Sequence, residues 1–132
     1  MILPNGATVA VADGETLSLF KNGAHEGGLS LKAIEAPELV ASNVGKSHRS
    51  SEAEPDDKTQ SEDGYAAASA AWLNKQVLEG KIGPLMVIAA PRTLGELRKH
   101  YHKQLQAVLV GELAKDLVGR PVAEIEAAVA NA

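Results

Sequence analysis

The segment from Leu85 to Lys103 constrains the fold more than any other part of this chain, because an apolar run leads directly into a basic helical pattern. Residues 85–90 are apolar throughout and follow Pro84, which is typical of a central parallel strand covered on both faces. Thr93 and Glu96 have the spacing of a capping box, so the sequence predicts a helix with Thr93 as its N-cap. A helix N-terminus and basic side chains would then meet above the end of a strand, where an anion such as phosphate binds.

The basic segment also carries a buried stripe. Leu94, Leu97, Tyr101 and Leu105 recur three or four residues apart, which indicates that the predicted helix runs through all four positions. Next along the chain, residues 107–110 are predicted to form a strand.

The first third of the chain predicts an antiparallel meander. Its three strands are expected at residues 8–12, 16–21 and 29–34. The dipeptides Asp13-Gly14 and Asn22-Gly23 between them are strong hairpin-turn signals, because these residues tolerate positive φ.

A polar segment separates the meander from the rest. Residues 41–63 are rich in Ser, Asp, Glu, Lys and Gly and have no periodicity, so we expect a mobile acidic surface loop within one domain. Thr59 and Glu62 have the spacing of a second capping box, and the helix that they open is expected to run from about residue 63 to 79.

The predicted order β-β-β-α-β-α-β-α implies an α/β fold with a mixed five-stranded sheet and helices on its faces. The strand at 107–110 extends towards Leu113, and Pro121 begins the last helix. Crossover helices make the later strands parallel to the first. All 132 residues are expected to form a single domain of ribonuclease H-like topology.

Composition excludes several classes of site. The chain has no cysteine, so disulfides and thiolate metal sites are excluded. No apolar stretch reaches the length of a membrane span and residues 1–6 do not resemble a signal peptide, so we expect a cytoplasmic protein with no membrane partner. No P-loop, dinucleotide fingerprint or Ser/His/Asp order is visible, and the four histidines are too scattered to predict a zinc site.

Charge is segregated along the chain although the net charge is only -4. Residues 52–63 contain six carboxylates and one lysine, whereas residues 92–103 contain four cations, one glutamate and two histidines. The basic segment is therefore either a surface with its own positive field or an ordinary solvated face beside an acidic loop.

The predicted anion site gathers around the start of the basic helix. Arg92 lies in the strand-to-helix loop, while Arg98 and His102 are i, i+4 neighbours beside the buried stripe. Gly95 would let a backbone or a ligand approach closely. With the free N–H groups after Thr93, these residues are expected to converge on phosphate. The predicted anion- or RNA-binding set is Arg92, Thr93, Gly95, Arg98, Lys99 and His102.

Carboxylates near the strand ends support a weaker alternative. Asp13 ends the first strand, and Asp116 and Glu15 would join it in holding the divalent metal ion of a phosphodiesterase. Asp13 also has a competing explanation as a hairpin-turn residue. Asp13 or Asp116 would equally serve as a structural partner for Arg98. No other cofactor is expected.

Three segments resemble a bacterial family of proteins required for attachment to host cells. They are residues 11–15, residues 89–100 and residues 115–126, and the pattern Pro-Arg-x-Leu-Gly-x-Leu-Arg over 91–98 is the most specific of them. That family is distantly similar to the middle domain of class-one peptide-chain release factors and of the ribosome-rescue protein Pelota. The resemblance implies a ribonuclease H-like fold and a ribosome- or RNA-associated role.

The sequence departs from the release factors at their reactive loop. Residues 44–50 resemble the family's Gly-rich loop, which is shorter here, and no Gly-Gly-Gln tripeptide occurs in the chain. Peptide release by that tripeptide is therefore not expected.

Three hypotheses follow for the function. The favoured one is a non-catalytic or weakly catalytic binding domain that contacts RNA or the ribosome through its basic helix. The others are a metal-dependent phosphodiesterase and a factor that acts indirectly in attachment to host cells. An exposed edge strand would allow two copies to pair, so the sequence leaves the oligomeric state open.

Overall fold

A computed structural model of the chain describes residues 3–24, 28–39 and 57–132, and the side chains of residues 57–60 are outside this description. These ranges contain five strands and four helices in the order βββαβααβα. The strands are β1 (Thr8–Ala12), β2 (Leu17–Asn22), β3 (Leu31–Ile34), β4 (Leu85–Ala89) and β5 (Leu109–Ala114). The helices are α1 (Asp57–Leu78), α2 (Pro91–Arg98), α3 (Lys103–Val108) and α4 (Val122–Ala130).

The strands form one mixed sheet in the order β3-β2-β1-β4-β5. The hairpins make β2 antiparallel to both β1 and β3, whereas β4 is parallel to β1 and β5 is parallel to β4. Every residue of β1 and β4 is buried, as the apolar run before the basic segment predicted. The mixed five-stranded α/β sheet is thus confirmed, while its assignment to the ribonuclease H-like fold stays a prediction.

Two apolar layers cover the sheet, one on each face. Ala10 and Val87 belong to the layer beneath α1, α2 and α3, whereas Val9 and Met86 belong to the layer that includes α4. This split follows from the alternation of side chains along each strand. The helical residues in the first layer are Ala66, Ala70, Leu73, Leu94, Leu97 and Leu105. Within the described ranges, no helix has the length and apolar character needed to cross a membrane.

Helix α1 begins at Asp57, about six residues before the predicted start. Thr59 and Glu62 therefore lie inside the helix, and the predicted capping box is wrong. No Pro or Gly interrupts residues 57–63, so nothing local prevents the earlier start. The expected loop is helical from Asp57 onward, and its remaining part, with the Gly-rich segment at 44–50, lies outside the described residues. Gly80 follows the end of α1 at φ 77°, as a C-terminal stop requires.

The basic segment forms two helices where one was predicted. Helix α2 begins at Pro91, with Ala90 as its N-cap, and Thr93 is already inside the helix. Proline is favoured at the first helical position because its missing N–H would be unpaired there anyway. Residues 107–108 end α3, so β5 begins two residues later than predicted and runs to Ala114.

Candidate phosphate-contacting surface of α2 and α3

A cleft of about 300 Å³ opens where the carboxyl ends of β1, β4 and β5 meet. Adjacent parallel strands end at the same edge of the sheet, which is where open α/β sheets commonly bind ligands. Of the residues predicted for the anion site, only Arg92 and Thr93 lie here, whereas Asp13, Glu15 and Asp116 of the metal alternative all do. The lining residues are Asp13, Gly14, Glu15, Glu62, Ala90, Arg92, Thr93 and Asp116.

The N-terminus of α2 forms one wall of this cleft. Ala90 accepts the first helical hydrogen bond, from Leu94 N–H at 2.8 Å, but has no side chain that caps the helix. Proline occupies the first position, so the N–H groups of the next two residues, Arg92 and Thr93, are the donors of the first turn. The predicted capping box between Thr93 and Glu96 is wrong, because the Glu96 carboxylate instead binds Lys99.

One side of α2 carries alternating charges, in which the cations are exposed but the Glu96 side chain is only 17% exposed. Nη2 of Arg92 lies 3.1 Å from both carboxylate oxygens of Asp63 on α1, and 59% of the Arg92 side chain is exposed. Nζ of Lys99 lies 2.7 Å from Oε1 of Glu96, and 67% of the Lys99 side chain is exposed. The hydrogen bond to Glu96 raises the pKa of Lys99. We call Asp63, Arg92, Glu96 and Lys99 the outer flank of α2.

The other side of α2 meets β5 through a three-residue network. Nε and Nη2 of Arg98 donate to one oxygen of Glu112, at 3.0 and 2.7 Å, and the Tyr101 hydroxyl donates to the other oxygen at 3.2 Å. Burial raises the pKa of Tyr101 far above its ordinary value, and the negative charge of Glu112 adds to the shift. We call Arg98, Tyr101 and Glu112 the inner flank of α2.

Arg98 therefore has a structural partner, but a different one from those predicted. The sequence pointed to Asp13 or Asp116, whereas the structure pairs Arg98 with Glu112. Glu112 lies opposite Val87 in the parallel pair of β4 and β5. Sequence reasoning missed Glu112 because the register of β5 shifts at Val110, and this shift decides the side on which the carboxylate lies.

His102 is not a helical neighbour of Arg98, so that prediction is wrong. Its backbone is extended, with ψ at 152°, and it is the N-cap of α3. Nδ1 of His102 accepts a hydrogen bond from Gln104 N–H at 2.9 Å. Asn74 of α1 binds the same bend, since its side chain contacts the backbone at His100 and His102.

Gly95 is exposed on the surface of α2. A Cβ at this position would have no neighbour within 4 Å, so no element of the described chain approaches Gly95 closely. The close approach of a ligand stays a prediction.

Asp13 is confirmed as a turn residue. Its Oδ1 accepts hydrogen bonds from Glu15 N–H at 2.8 Å and Thr16 N–H at 2.6 Å. The next residue, Gly14, lies so close to Glu62 that a Cβ there would overlap the glutamate side chain. In the part of the chain that the structure describes, no three His, Asp or Glu side chains are grouped as a metal ion would need. Metal binding by Asp13 and Asp116 stays a prediction.

The sequence matches bacterial archaeo-eukaryotic release factor family 12 over residues 6–129. The chain belongs to this family. The match covers every strand and reaches the penultimate residue of α4, so the cleft and both flanks of α2 are parts of the family's domain. A comparison with curated proteins gives no match. Membership of family 12 confirms the release-factor-like relationship, whereas the relationship to attachment proteins and any role in attachment stay predictions.

Proposed function

We propose that this member of family 12 is a ribosome-associated binding domain, not an enzyme, that contacts RNA phosphates through the outer flank of α2 together with His102 and Lys103. The family supports an association with translation. The observation that carries the surface is the pair of exposed cations along α2, Arg92 in its first turn and Lys99 at its C-cap. Arg92 and Lys99 are the two outer-flank residues that would bind phosphate.

The Asp63 carboxylate does not prevent phosphate binding by Arg92. Exposed ion pairs are weak, because water and salt screen both charges. The Arg92 side chain is 59% exposed and that of Asp63 is 34% exposed, and they belong to different helices. An RNA phosphate would replace Asp63 and keep the same kind of charge-assisted hydrogen bond to the guanidinium group. Asp63 thus positions Arg92 in the free protein, and a phosphate would take its place in the complex.

The cleft itself is a poor place for a free anion. Four carboxylates line it, and their charge opposes a phosphate bound directly above Ala90. These four are Asp13, Glu15, Glu62 and Asp116. A phosphate at the rim, beside Arg92 and the first turn of α2, would interact favourably with the positive end of the helix dipole. It would also stay away from the four carboxylates in the cleft. The proposed contact is therefore at the rim and on the outer flank, further from the sheet than the sequence predicted.

Arg98 contributes less to the proposed phosphate-binding surface than Arg92 and Lys99 do. Glu112 holds its guanidinium group with two hydrogen bonds and is itself shared with Tyr101. Replacing that carboxylate with a phosphate would leave the half-buried Tyr101 hydroxyl without its acceptor. We therefore assign Arg98 mainly to the structure of α2.

Sedimentation with purified bacterial ribosomes across a salt series tests the proposal. The bound fraction should fall steeply between about 50 and 200 mM salt, because each phosphate contact releases condensed counterions. The double variant Arg92→Ala/Lys99→Ala should make the logarithmic salt dependence shallower by about two units.

The matched control is Lys21→Ala/Lys32→Ala. These two exposed lysines lie opposite each other on β2 and β3, so the control removes the same charge from another surface. The control should bind as the unaltered protein does. Absence of sedimentation with ribosomes at low salt, or an equal loss in the control, would refute the proposed surface.

A further inference from the structure

We propose that Asn74 is a positioning residue, which holds the chain bent between α2 and α3 so that His102 and Lys103 reach phosphate separately from Lys99. The bend is a property of the fold alone. The consequence for phosphate binding rests on the proposed function.

The local sequence favours a continuous helix at this point. Residues 96–106 contain neither Pro nor Gly, and the buried stripe keeps helical spacing across them. Leu97 before the bend and Leu105 after it are both fully buried, as one continuous helix would also require. The chain nevertheless leaves the helix after Arg98 and starts a new one at Lys103. A contact from elsewhere in the fold must therefore stabilise the bend.

The Asn74 side chain provides that contact with both of its polar atoms. Nδ2 donates to the His100 carbonyl at 2.8 Å, and Oδ1 accepts from His102 N–H at 2.9 Å. In a continuous helix the His100 carbonyl would instead accept from Gln104 N–H, and His102 N–H would donate to the Arg98 carbonyl. Gln104 N–H has its own replacement partner, Nδ1 of His102, at 2.9 Å. Three backbone groups that would bond within a continuous helix therefore bond to side chains instead. The His100 carbonyl and His102 N–H bind Asn74, and Gln104 N–H binds His102.

The bend decides how the cations are arranged. In a continuous helix Lys99 and Lys103 would be i, i+4 neighbours, and Arg92 would lie in the same row two turns earlier. The extended backbone of His102 ends that row at Lys99. Lys103 then begins a separate helix and forms a second proposed phosphate-contacting group with His102. Because phosphates along RNA stand at set intervals, the separation of the two groups determines how many contacts form at once.

The test uses Asn74→Ala and Asn74→Asp in the full chain, with Gln76→Ala on the same helix as the control. Asp keeps the acceptor for His102 N–H and loses the donor to the His100 carbonyl, so it removes half of the contact if the alanine variant does not fold. Backbone carbon chemical shifts should turn helical between Lys99 and Gln104 in the Asn74 variants and stay unchanged in the control.

Ribosome sedimentation of the same variants supplies the second measurement. The logarithmic salt dependence should become shallower by about one unit for each phosphate contact that is lost. A lower fraction of folded protein would reduce the bound amount without changing this slope. The slope therefore separates a positioning role from general destabilisation.

Each result decides one part of the inference. Unchanged chemical shifts in both Asn74 variants would overturn the role of Asn74 in the bend. Helical shifts with an unchanged salt slope would overturn the positioning role and leave the ribosome proposal standing. If the unaltered protein fails to bind ribosomes, the proposed function and the positioning role are both refuted. The chemical shifts of the Asn74 variants would then test only whether Asn74 stabilises the bend.

Discussion

The two flanks of α2 use the same residue types in different ways. On the outer flank, Arg92 pairs with an aspartate of another helix, and 59% of the arginine side chain and 34% of the aspartate side chain are exposed. On the inner flank, Arg98 is fixed by two hydrogen bonds to Glu112, whose second oxygen binds a half-buried tyrosine. The charge of an arginine therefore does not reveal its role, whereas the burial and connectivity of its partner do.

The difference separates cations that can exchange partners from cations that belong to the fold. Replacing the partner of Arg92 exposes no buried group, because Asp63 is already in contact with water. Replacing the partner of Arg98 removes the acceptor of the half-buried Tyr101 hydroxyl. We expect ligand binding to depend on the first arginine and stability to depend on the partner of the second.

The largest expected effect on stability is that of Glu112→Ala. The half-buried Tyr101 hydroxyl loses its charged acceptor, which should lower the free energy of unfolding by about 1 to 2 kcal/mol. Urea unfolding followed by circular dichroism measures the change. The comparison variant is Asp63→Ala on the outer flank, for which we expect no significant change. A larger loss for Asp63→Ala would reverse the assignment of the two flanks.

The pH dependence of stability provides a second way to sharpen the comparison. Burial and Glu112 favour the protonated Tyr101 in the folded protein and raise its pKa. The resulting stabilisation is complete below the unfolded tyrosine pKa of about 10 and is lost as pH rises above it, by at most about 1.4 kcal/mol per pH unit.

Tyr101→Phe should reduce this alkaline loss, as unfolding measured between about pH 9 and pH 11 would show. Tyr65, the other tyrosine of the chain, also has a raised pKa, through burial first and the charge of Asp13 second. Some alkaline loss should therefore remain in Tyr101→Phe. An identical pH profile in the variant and the unaltered protein would show that burial and Glu112 do not raise the pKa of Tyr101 in the folded protein.

The smallest expected effect is that of Gly95→Ala on the exposed surface of α2. A Cβ there meets no neighbour, so alanine should stabilise the helix by about 0.5 to 1 kcal/mol. Thermal unfolding measures this gain. A simultaneous loss of ribosome binding would show that Gly95 belongs to the surface that contacts the ribosome. A loss of stability would contradict the structure, in which Gly95 has an ordinary helical backbone and open space around it.

Local patterns were sufficient to predict the sheet. The alternating and apolar runs of β1 and β4, with turn dipeptides between the first strands, specify which segments pair. The buried positions of α2 and α3 were also predicted, because Leu94, Leu97 and Leu105 repeat at helical spacing. These features depend on neighbours within a few residues along the chain.

The predictions that were wrong concern features that depend on contacts between residues far apart in the sequence. At the break after α2 the backbone binds Asn74, which lies 26 and 28 residues from its two backbone partners. The partner of Arg98 depends on the register of β5, where Leu109 faces Leu85 but Gly111 faces Met86, so that Val110 is an extra residue. No pattern in the sequence marks such a shift, and it decides the side on which Glu112 lies.

Matched single variants on the two flanks test the central claim most directly. Arg92→Gln and Arg98→Gln remove one charge each from the same helix, and their ribosome sedimentation is measured across one salt series. We predict that Arg92→Gln makes the logarithmic salt dependence shallower by about one unit, whereas Arg98→Gln leaves the slope unchanged. An equal or greater change for Arg98→Gln would contradict the assignment of phosphate binding to the outer flank.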